Sequence, residues 1–371
     1  MSTNTDTKLV RVLAVCNHPG GAKALVPVLT SLIDHKVDVH LITSRGSLEL
    51  FSGLEVLCET VSSKPDRSLP LRKIQFTRPD LILLGTSVPD RPDTEWLEVS
   101  FLAAAEMARV KTIAVLDHWS RYEDRFLMRG KEERHVLPDR ICVMDQRAWN
   151  EMREKGFPEE RLRITGNPYW DSFRGIRKTL QSTGRESLRR GLQIEDGERF
   201  LLFISQPISQ IHDCSLQYTE CSVFQDLLEV LQTSNELSDV TMGIRVHPRE
   251  PRKQLQAILR RYGTSARWFD DTAPVFELGW ASDFVVGMFS TLVTELSLLG
   301  IPVISYQPEV GPHRMTRLGD KVKVTHDTLE LRKELLKQDR TRLGCDNTQV
   351  SMNATRRVMS EIEDLLVLAT T

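Results

Sequence analysis

The chain has 371 residues, 40% of them hydrophobic and 27% charged, with 20 Gly and a formal net charge of -2. That length exceeds one ordinary core and points to two domains of a globular α/β protein. The near-neutral balance supplies no global field toward DNA, RNA or anionic lipid, so no nucleic-acid partner is expected. No run reaches the ~18 apolar residues of a membrane span.

The opening MSTNTDTKLVRVLAVC is a polar tail running into a strand, without a hydrophobic signal region. The six cysteines (Cys16, Cys58, Cys142, Cys214, Cys221, Cys345) are scattered, with no C-x-x-C pair. A cytoplasmic, reduced and metal-free protein is expected, with Cys16 and Cys142 as plain core residues.

Short apolar strands alternate with amphipathic helices through the first half. Val10–Cys16 reads as a strand, Asn17–Gly21 as a loop and Ala22–His35 as a helix. Val37–Thr43 is the second strand, Ser47–Phe51 a short helix, and polar Glu59–Ser68 a loop. A helix over Leu71–Thr77 leads to the strand Leu81–Leu84 and Gly85-Thr86-Ser87. Helix Trp96–Ala108 precedes the strand Thr112–Leu116, which opens onto Asp117-His118. Strands Arg140–Met144 and Leu162–Ile164 flank a helix over Gln146–Lys155. Such alternation predicts a parallel sheet covered on both faces.

Tyr169–Arg199 is charged and helical, with no strand expected. A second series starts at Phe200–Ile204, then helix Val223–Thr233, strand Thr241–Val246, helix Arg252–Tyr262 and Ala266–Phe269. Ser282–Gln307 reads as a complete βαβ unit: strand Phe284–Val286, turn at Gly287, helix Leu292–Leu299, stop at Gly300, strand Val303–Tyr306. A weaker strand, Val322–Val324, and an amphipathic tail, Ser351–Leu368, complete the pattern. The expected domains are 1–172, a helical connector 173–199, a second domain 200–345, and a C-terminal helix within 346–371 that packs back on the first domain. The fold expected is α/β, with two Rossmann-like doubly wound domains facing each other across a cleft.

Ligands of such sheets bind at the carboxyl ends of strands. In the first half, Gly20 and Gly21 allow a phosphate or acceptor to approach the backbone. His18 beside them suits a general base or, equally, a solvent-facing turn. Asp117-His118 ends a buried strand, where both groups need hydrogen bonds; Asp117 also suits a cap. Arg121, Arg125, Arg129 and Arg134, interleaved with acids, read as a solvated face, with steering of an anionic acceptor as the alternative. In the second half, Ser205-Gln206, Arg245-x-His247-Pro248 and Ser290-Thr291 follow successive strands. Ser290 or Thr291 sits at a helix N-cap, where free N–H groups and the helix dipole favour phosphate. Glu295, one turn on, is in reach of a sugar hydroxyl. Arg245 and His247 supply further donors to phosphate oxygens. Taken singly each is ordinary; their joint occurrence at strand ends is the stronger signal.

These residues resemble nucleotide-sugar glycosyltransferases of the GT-B fold, in the broad group that includes UDP-N-acetylglucosamine 2-epimerase. His247-Pro248 and Ser290-Thr291 are similar to the HP and S-S/T motifs of bacterial sialyl and Kdo transferases of polysaccharide biosynthesis, and hydroxyl-rich turns like these also occur in CDP-glycerol glycerophosphotransferases. Thr165-Gly166-Asn167-Pro168 with Asp171 resembles the T-G-N-P-x-x-D turn of the epimerase and many GT-B enzymes. Two patterns depart. Gly287-Met288-Phe289-Ser290 replaces the Gly-Gly turn of epimerases, and Gly287 stands eight residues before Glu295, where E-x7-E transferases carry a glutamate.

The resemblance implies a glycosyltransferase acting in polysaccharide or glycoconjugate synthesis. Its donor phosphate would rest on Ser290 and Thr291 with Arg245 and His247, its ribose or sugar on Glu295, with Ser205 and Gln206 lining the same crevice. An acceptor would lie against Gly20, Gly21, Thr86 and Asp117-His118, with His18, Asp117 and His118 as candidate bases. No cofactor is implied beyond a nucleotide-sugar co-substrate, its nucleotide open between CMP, UDP, GDP and others. The implied acceptor is a glycan or lipid-linked hydroxyl compound, the latter with peripheral membrane association. The rival readings are a nucleotide-sugar epimerase, a CDP-polyol phosphotransferase and a noncatalytic GT-B-like binding protein. Oligomeric state leaves no signal.

Overall fold

A computed structural model of the chain describes residues 9–88, 96–129, 133–210, 216–247, 250, 252–270, 272–308, 322–337 and 353–370. Two compact units emerge: Met1–Ser172 with Ser351–Thr371, and Phe173–Val350.

In the first unit, β1 (Arg11–Cys16), α1 (Pro19–Asp34), β2 (Asp38–Ser44), β3 (Leu57–Val61), α2 (Leu69–Thr77), β4 (Leu81–Leu84), α3 (Leu97–Ala108) and β5 (Lys111–Val115) follow in order. A small antiparallel pair, β6 (Leu127–Met128) and β7 (Arg134–His135), precedes β8 (Arg140–Val143), α4 (Gln146–Glu154) and β9 (Leu162–Ile164). Seven parallel strands form one sheet in the order β3-β2-β1-β4-β5-β8-β9. The central strands are buried on both faces, as their unbroken apolar runs require. On α1, Ala22, Leu25, Val28, Leu29 and Leu32 form the apolar stripe.

The second unit opens with α5 (Phe173–Thr183) and α6 (Arg185–Gly191), then β10 (Arg199–Ile204), α7 (Glu220–Thr233), β11 (Val240–Arg245), α8 (Arg252–Arg261) and β12 (Arg267–Phe269). It continues with α9 (Val275–Ala281), β13 (Phe284–Gly287), α10 (Thr291–Leu298), β14 (Val303–Tyr306), β15 (Lys323–Thr325) and α11 (Thr328–Lys337). Its six parallel strands run β12-β11-β10-β13-β14-β15. The last helix, α12 (Ala354–Thr370), returns to the first unit, where Val358, Met359, Ile362 and Leu365 join a core with α1 and β1. Asp171 accepts from the N–H groups of Ala354 and Thr355, at 3.0 and 2.8 Å, and so caps α12.

Three expectations are corrected here. The polar loop from Glu59 overlaps an edge strand, β3, whose mostly exposed residues pair with β2 alone; an edge strand needs no apolar run. The helical segment 173–199 is part of the second unit. Arg185 and Arg189 reach Asp283 at 2.9 and 3.4 Å, and Asp283 also accepts from the Phe200 N–H at 2.8 Å. Finally α1 begins at Pro19, so Gly20 and Gly21 lie in its first turn rather than in a loop; proline's fixed φ suits that first helical position.

Candidate functional site

In each sheet the strand order reverses at one place, between β1 and β4 and between β10 and β13. A crevice opens there at the carboxyl ends, because the following helices leave on opposite faces. Both reversals carry polar residues that the fold alone does not explain.

At the first, the Asn17 backbone is fully used. Its N–H donates to Glu98 Oε1 at 2.7 Å, and its carbonyl accepts from the hydroxyls of Ser44 and Ser47 at 2.6 and 2.7 Å. Its side chain, 2% exposed, leaves both amide atoms without a hydrogen-bond partner among the described residues. A buried amide in that condition costs free energy that a ligand would recover. Glu98 also accepts from the Ser87 hydroxyl, and attraction to His18 favours its charge. Burial outweighs both and raises its carboxyl above the usual range.

Asp117 and Thr86 meet beside this cluster, the Thr86 hydroxyl donating to Asp117 Oδ1 at 3.4 Å. Arg125 closes the group: Nη1 lies 2.7 Å from Asp117 Oδ1 and 2.8 Å from Thr86 Oγ1, and Nε donates to the Ser120 carbonyl at 3.1 Å. Its side chain is 3% exposed. Expected on a solvated face, Arg125 is instead the buried counter-charge that Asp117 required. The glycines serve the same packing. A Cβ on Gly20 would stand 2.1 Å from Asp117 Oδ2, and one on Gly21 3.2 Å from the Thr86 backbone. The close approach foreseen for a ligand is thus occupied by the chain's own groups. The Asp117 carboxylate lies at the positive end of α1, where the dipole favours an anion.

His118 Nδ1 is 2.8 Å from Ser120 Oγ. Burial lowers its pKa to about 4, with Asp117 opposing the shift, so the ring is neutral at neutral pH. Trp119 next to it stacks on Trp170 and donates to Asp145 at 2.8 Å. His18 takes the N-cap position of α1 in extended conformation, without capping by its side chain.

At the second reversal, α10 starts from Ser290, whose side chain makes no capping bond. Its Oγ is buried and without a hydrogen-bond partner among the described residues. Thr291 is the first helical residue, and Glu295 lies buried in the next turn. Gly287 has no need of a positive φ; a Cβ there would stand 2.7 Å from Val293 Cγ2, so it lets α10 close onto β13. Gly300, at φ 83°, ends the segment in the left-handed region after Leu299. Gln206 Oε1 accepts from the Phe289 N–H at 3.3 Å, joining the loop after β10 to the turn before α10. The Ser205 N–H donates to the Arg245 carbonyl at 3.0 Å, so the ends of β10 and β11 are side by side. The Ser205 hydroxyl is committed to Glu250 Oε1 at 2.7 Å. His247 stands two residues after the end of β11, and Pro248 of the HP pair lies outside the described residues.

The structure places His18, Gly20, Gly21, Thr86, Asp117 and His118 at the carboxyl ends of β1, β4 and β5, and Ser205, Gln206, Arg245, His247, Ser290, Thr291 and Glu295 at or after the carboxyl ends of β10, β11 and β13. Four residues at these strand ends were not among the site residues expected from the sequence: Asn17, Glu98, Arg125 and Glu250. The signal for Glu98 was a single acid in the apolar start of α3. For Arg125 it was the need of a buried Asp117 for a partner.

Among the described residues no group of three or more His, Cys, Asp or Glu is placed to hold a metal ion. Asp270 closes a local turn on Thr272, at 3.1 and 2.6 Å, and Asp271 lies outside the described residues. Nor is any described helix long and apolar enough to cross a membrane.

No protein-family model matches the chain, and no curated protein matches it. Solved structures do. UDP-GlcNAc 2-epimerase from Neisseria meningitidis, bound to UDP-GlcNAc, superposes with a TM-score of 0.67 at 15% identity, covering 96% of this chain and 100% of the other. The fold is GT-B. The glycotransferase of kitacinnamycin follows at a TM-score of 0.59 and 13% identity, covering 96% and 99% of the two chains. MurG from Acinetobacter baumannii gives 0.54 at 12% identity, again covering 96% and 99%. At such identities the likeness establishes the GT-B fold, two Rossmann-like domains, and no residue's role.

Proposed function

We propose that this GT-B protein transfers a sugar from a nucleotide-activated donor to a hydroxyl acceptor, with the donor nucleotide on the second unit and the acceptor on the first. The observation that carries the reading is the start of α10. Free N–H groups, the positive end of the helix dipole and the Ser290 hydroxyl, without a partner among the described residues, coincide at the strand reversal. A diphosphate placed there meets preorganised donors that strengthen as negative charge develops on the leaving group. Arg245 and His247, from the neighbouring strand end, add charge and a further donor; Thr291 adds a hydroxyl and Glu295 a carboxylate one turn on.

On the first unit, the acceptor hydroxyl would lie by Asn17, whose amide has no partner among the described residues. His18 is the base we favour. Asp117 is held by Arg125 and so acts in positioning, while the His118 ring, with its pKa near 4, is a weak proton acceptor. Glu98 beside His18 would stabilise the imidazolium as the proton arrives. A glycan or lipid-linked acceptor and a cytoplasmic, membrane-peripheral setting belong to this proposal. It invokes no cofactor or metal.

The epimerase reading is favoured by one observation, the UDP-GlcNAc 2-epimerases among the structural neighbours. Incubating the protein with UDP-GlcNAc or another nucleotide sugar, with and without hydroxyl acceptors, separates the two. Nucleotide release that depends on acceptor supports transfer. Inversion at a sugar carbon without acceptor, followed by proton NMR, supports epimerisation. Nucleotide binding without turnover supports a noncatalytic role.

A further inference from the structure

Glu250 follows the His247 loop and is 7% exposed. Burial pushes its carboxyl above the usual range, and the charge of buried Glu220 pushes the same way. A carboxylate placed against both burial and a like charge weakens the fold unless something is gained. What it gains is a set of contacts that converge on the donor loops. Oε1 accepts from the Ser205 hydroxyl at 2.7 Å, after β10. The Glu250 N–H donates to the His247 carbonyl at 2.9 Å, and the His247 backbone in turn favours the charged carboxylate. Ser205 is followed by Gln206, which accepts from Phe289, the residue before Ser290. A continuous line of contacts thus runs from Glu250 through Ser205, Gln206 and Phe289 to the start of α10.

We propose that Glu250 is a positioning residue of the donor site, holding Ser205 and Gln206 after β10 and His247 after β11 in the arrangement that receives the nucleotide. The inference rests on the donor-site reading above and deepens it. It also reassigns Ser205: its hydroxyl serves Glu250, and what the loop offers a nucleotide is Gln206 and backbone. Oε1 carries the hydroxyl contact, while Oε2 is buried and has no hydrogen-bond partner among the described residues. A glutamine keeps the hydroxyl contact and loses the charge.

The test compares Glu250→Ala, Glu250→Gln, Ser205→Ala and the Ser205→Ala/Glu250→Ala double variant of the full chain. Calorimetry reads the dissociation constants of UDP, CDP, CMP and GDP, steady-state assays read KM and kcat, and hydrogen exchange reads residues 201–210 and 240–247. Glu250→Ala is expected to weaken nucleotide binding at least tenfold and to move KM more than kcat. Glu250→Gln should stay within threefold of the parent, and the double variant should be no weaker than Glu250→Ala alone. Binding within twofold of the parent in folded Glu250→Ala and in Ser205→Ala overturns the proposal. Should Glu250→Ala not fold, Ser205→Ala carries the test. If the unmodified protein binds none of the nucleotides, the donor reading is what fails. Exchange in the two loops then decides whether Glu250 orders them, and an unchanged pattern in Glu250→Ala overturns that as well.

Discussion

Replacing Arg125 by methionine keeps the stem of the side chain and removes its charge. In the structure that guanidinium is 3% exposed and makes close contacts to Asp117 at 2.7 Å, Thr86 at 2.8 Å and the Ser120 carbonyl at 3.1 Å. Its loss leaves Asp117, 17% exposed, as a nearly buried carboxylate held by one long hydroxyl contact and the start of α1. Breaking a buried pair from one side costs about 3–5 kcal/mol. For a unit of this size that is a fall of about 6–20 °C in Tm. Removing both charges is different, because two well-packed apolar groups can replace a buried pair at little cost. The double variant Asp117→Leu/Arg125→Met should therefore recover most of the stability that Arg125→Met loses. Thermal and urea melts of the parent, both single variants and the double complete the cycle. An Arg125→Met protein within about 1 kcal/mol of the parent would refute the reasoning, and so would additive losses in the double variant.

Gly20→Ala should destabilise by about 1–3 kcal/mol, because its Cβ meets Asp117 Oδ2 at 2.1 Å; urea melts check it, and an unaffected protein would mean the carboxylate moves freely. Asp171→Ala should remove the cap of α12 and about 1 kcal/mol of stability, with Asp171→Asn losing less, as read by thermal melts. His118 is held neutral, with a folded pKa near 4 against 6.5 for the free side chain. Its contribution is complete above pH 6.5 and is lost as pH falls toward 4, amounting to at most about 3 kcal/mol. Melts from pH 7 to 4 should show a steeper loss in the parent than in His118→Gln; equal slopes would contradict this.

What was legible in the sequence followed from periodicity and punctuation. Unbroken apolar runs such as Val12–Cys16 and Leu81–Leu84 mark buried parallel strands, and Gly300 with Pro302 marks the end of α10 and the start of β14. The strand ends then name most candidate residues, since a parallel sheet brings its carboxyl ends together. β3 was hidden because an edge strand pairs through backbone on one side and leaves its side chains in water. Arg125 and Glu98 were hidden for the opposite reason. Each is a charged residue in a setting that reads as ordinary, and only the tertiary contacts with Asp117, Asn17 and Ser87 give it meaning. The packing of Gly20 against Asp117 was hidden because a glycine demanded by a ligand and one demanded by a neighbouring side chain look alike in one dimension.

The measurement that tests the account most directly is a thermal-shift panel with UDP, GDP, CDP, CMP and ADP on the parent, Ser290→Ala and His247→Ala proteins. A ligand at a hundred times its dissociation constant stabilises by about 2.7 kcal/mol, a shift of several degrees. The account predicts that at least one nucleotide raises the Tm of the parent and that both substitutions abolish the rise. No shift with any nucleotide, or a shift that survives both substitutions, would contradict a donor site at the start of α10.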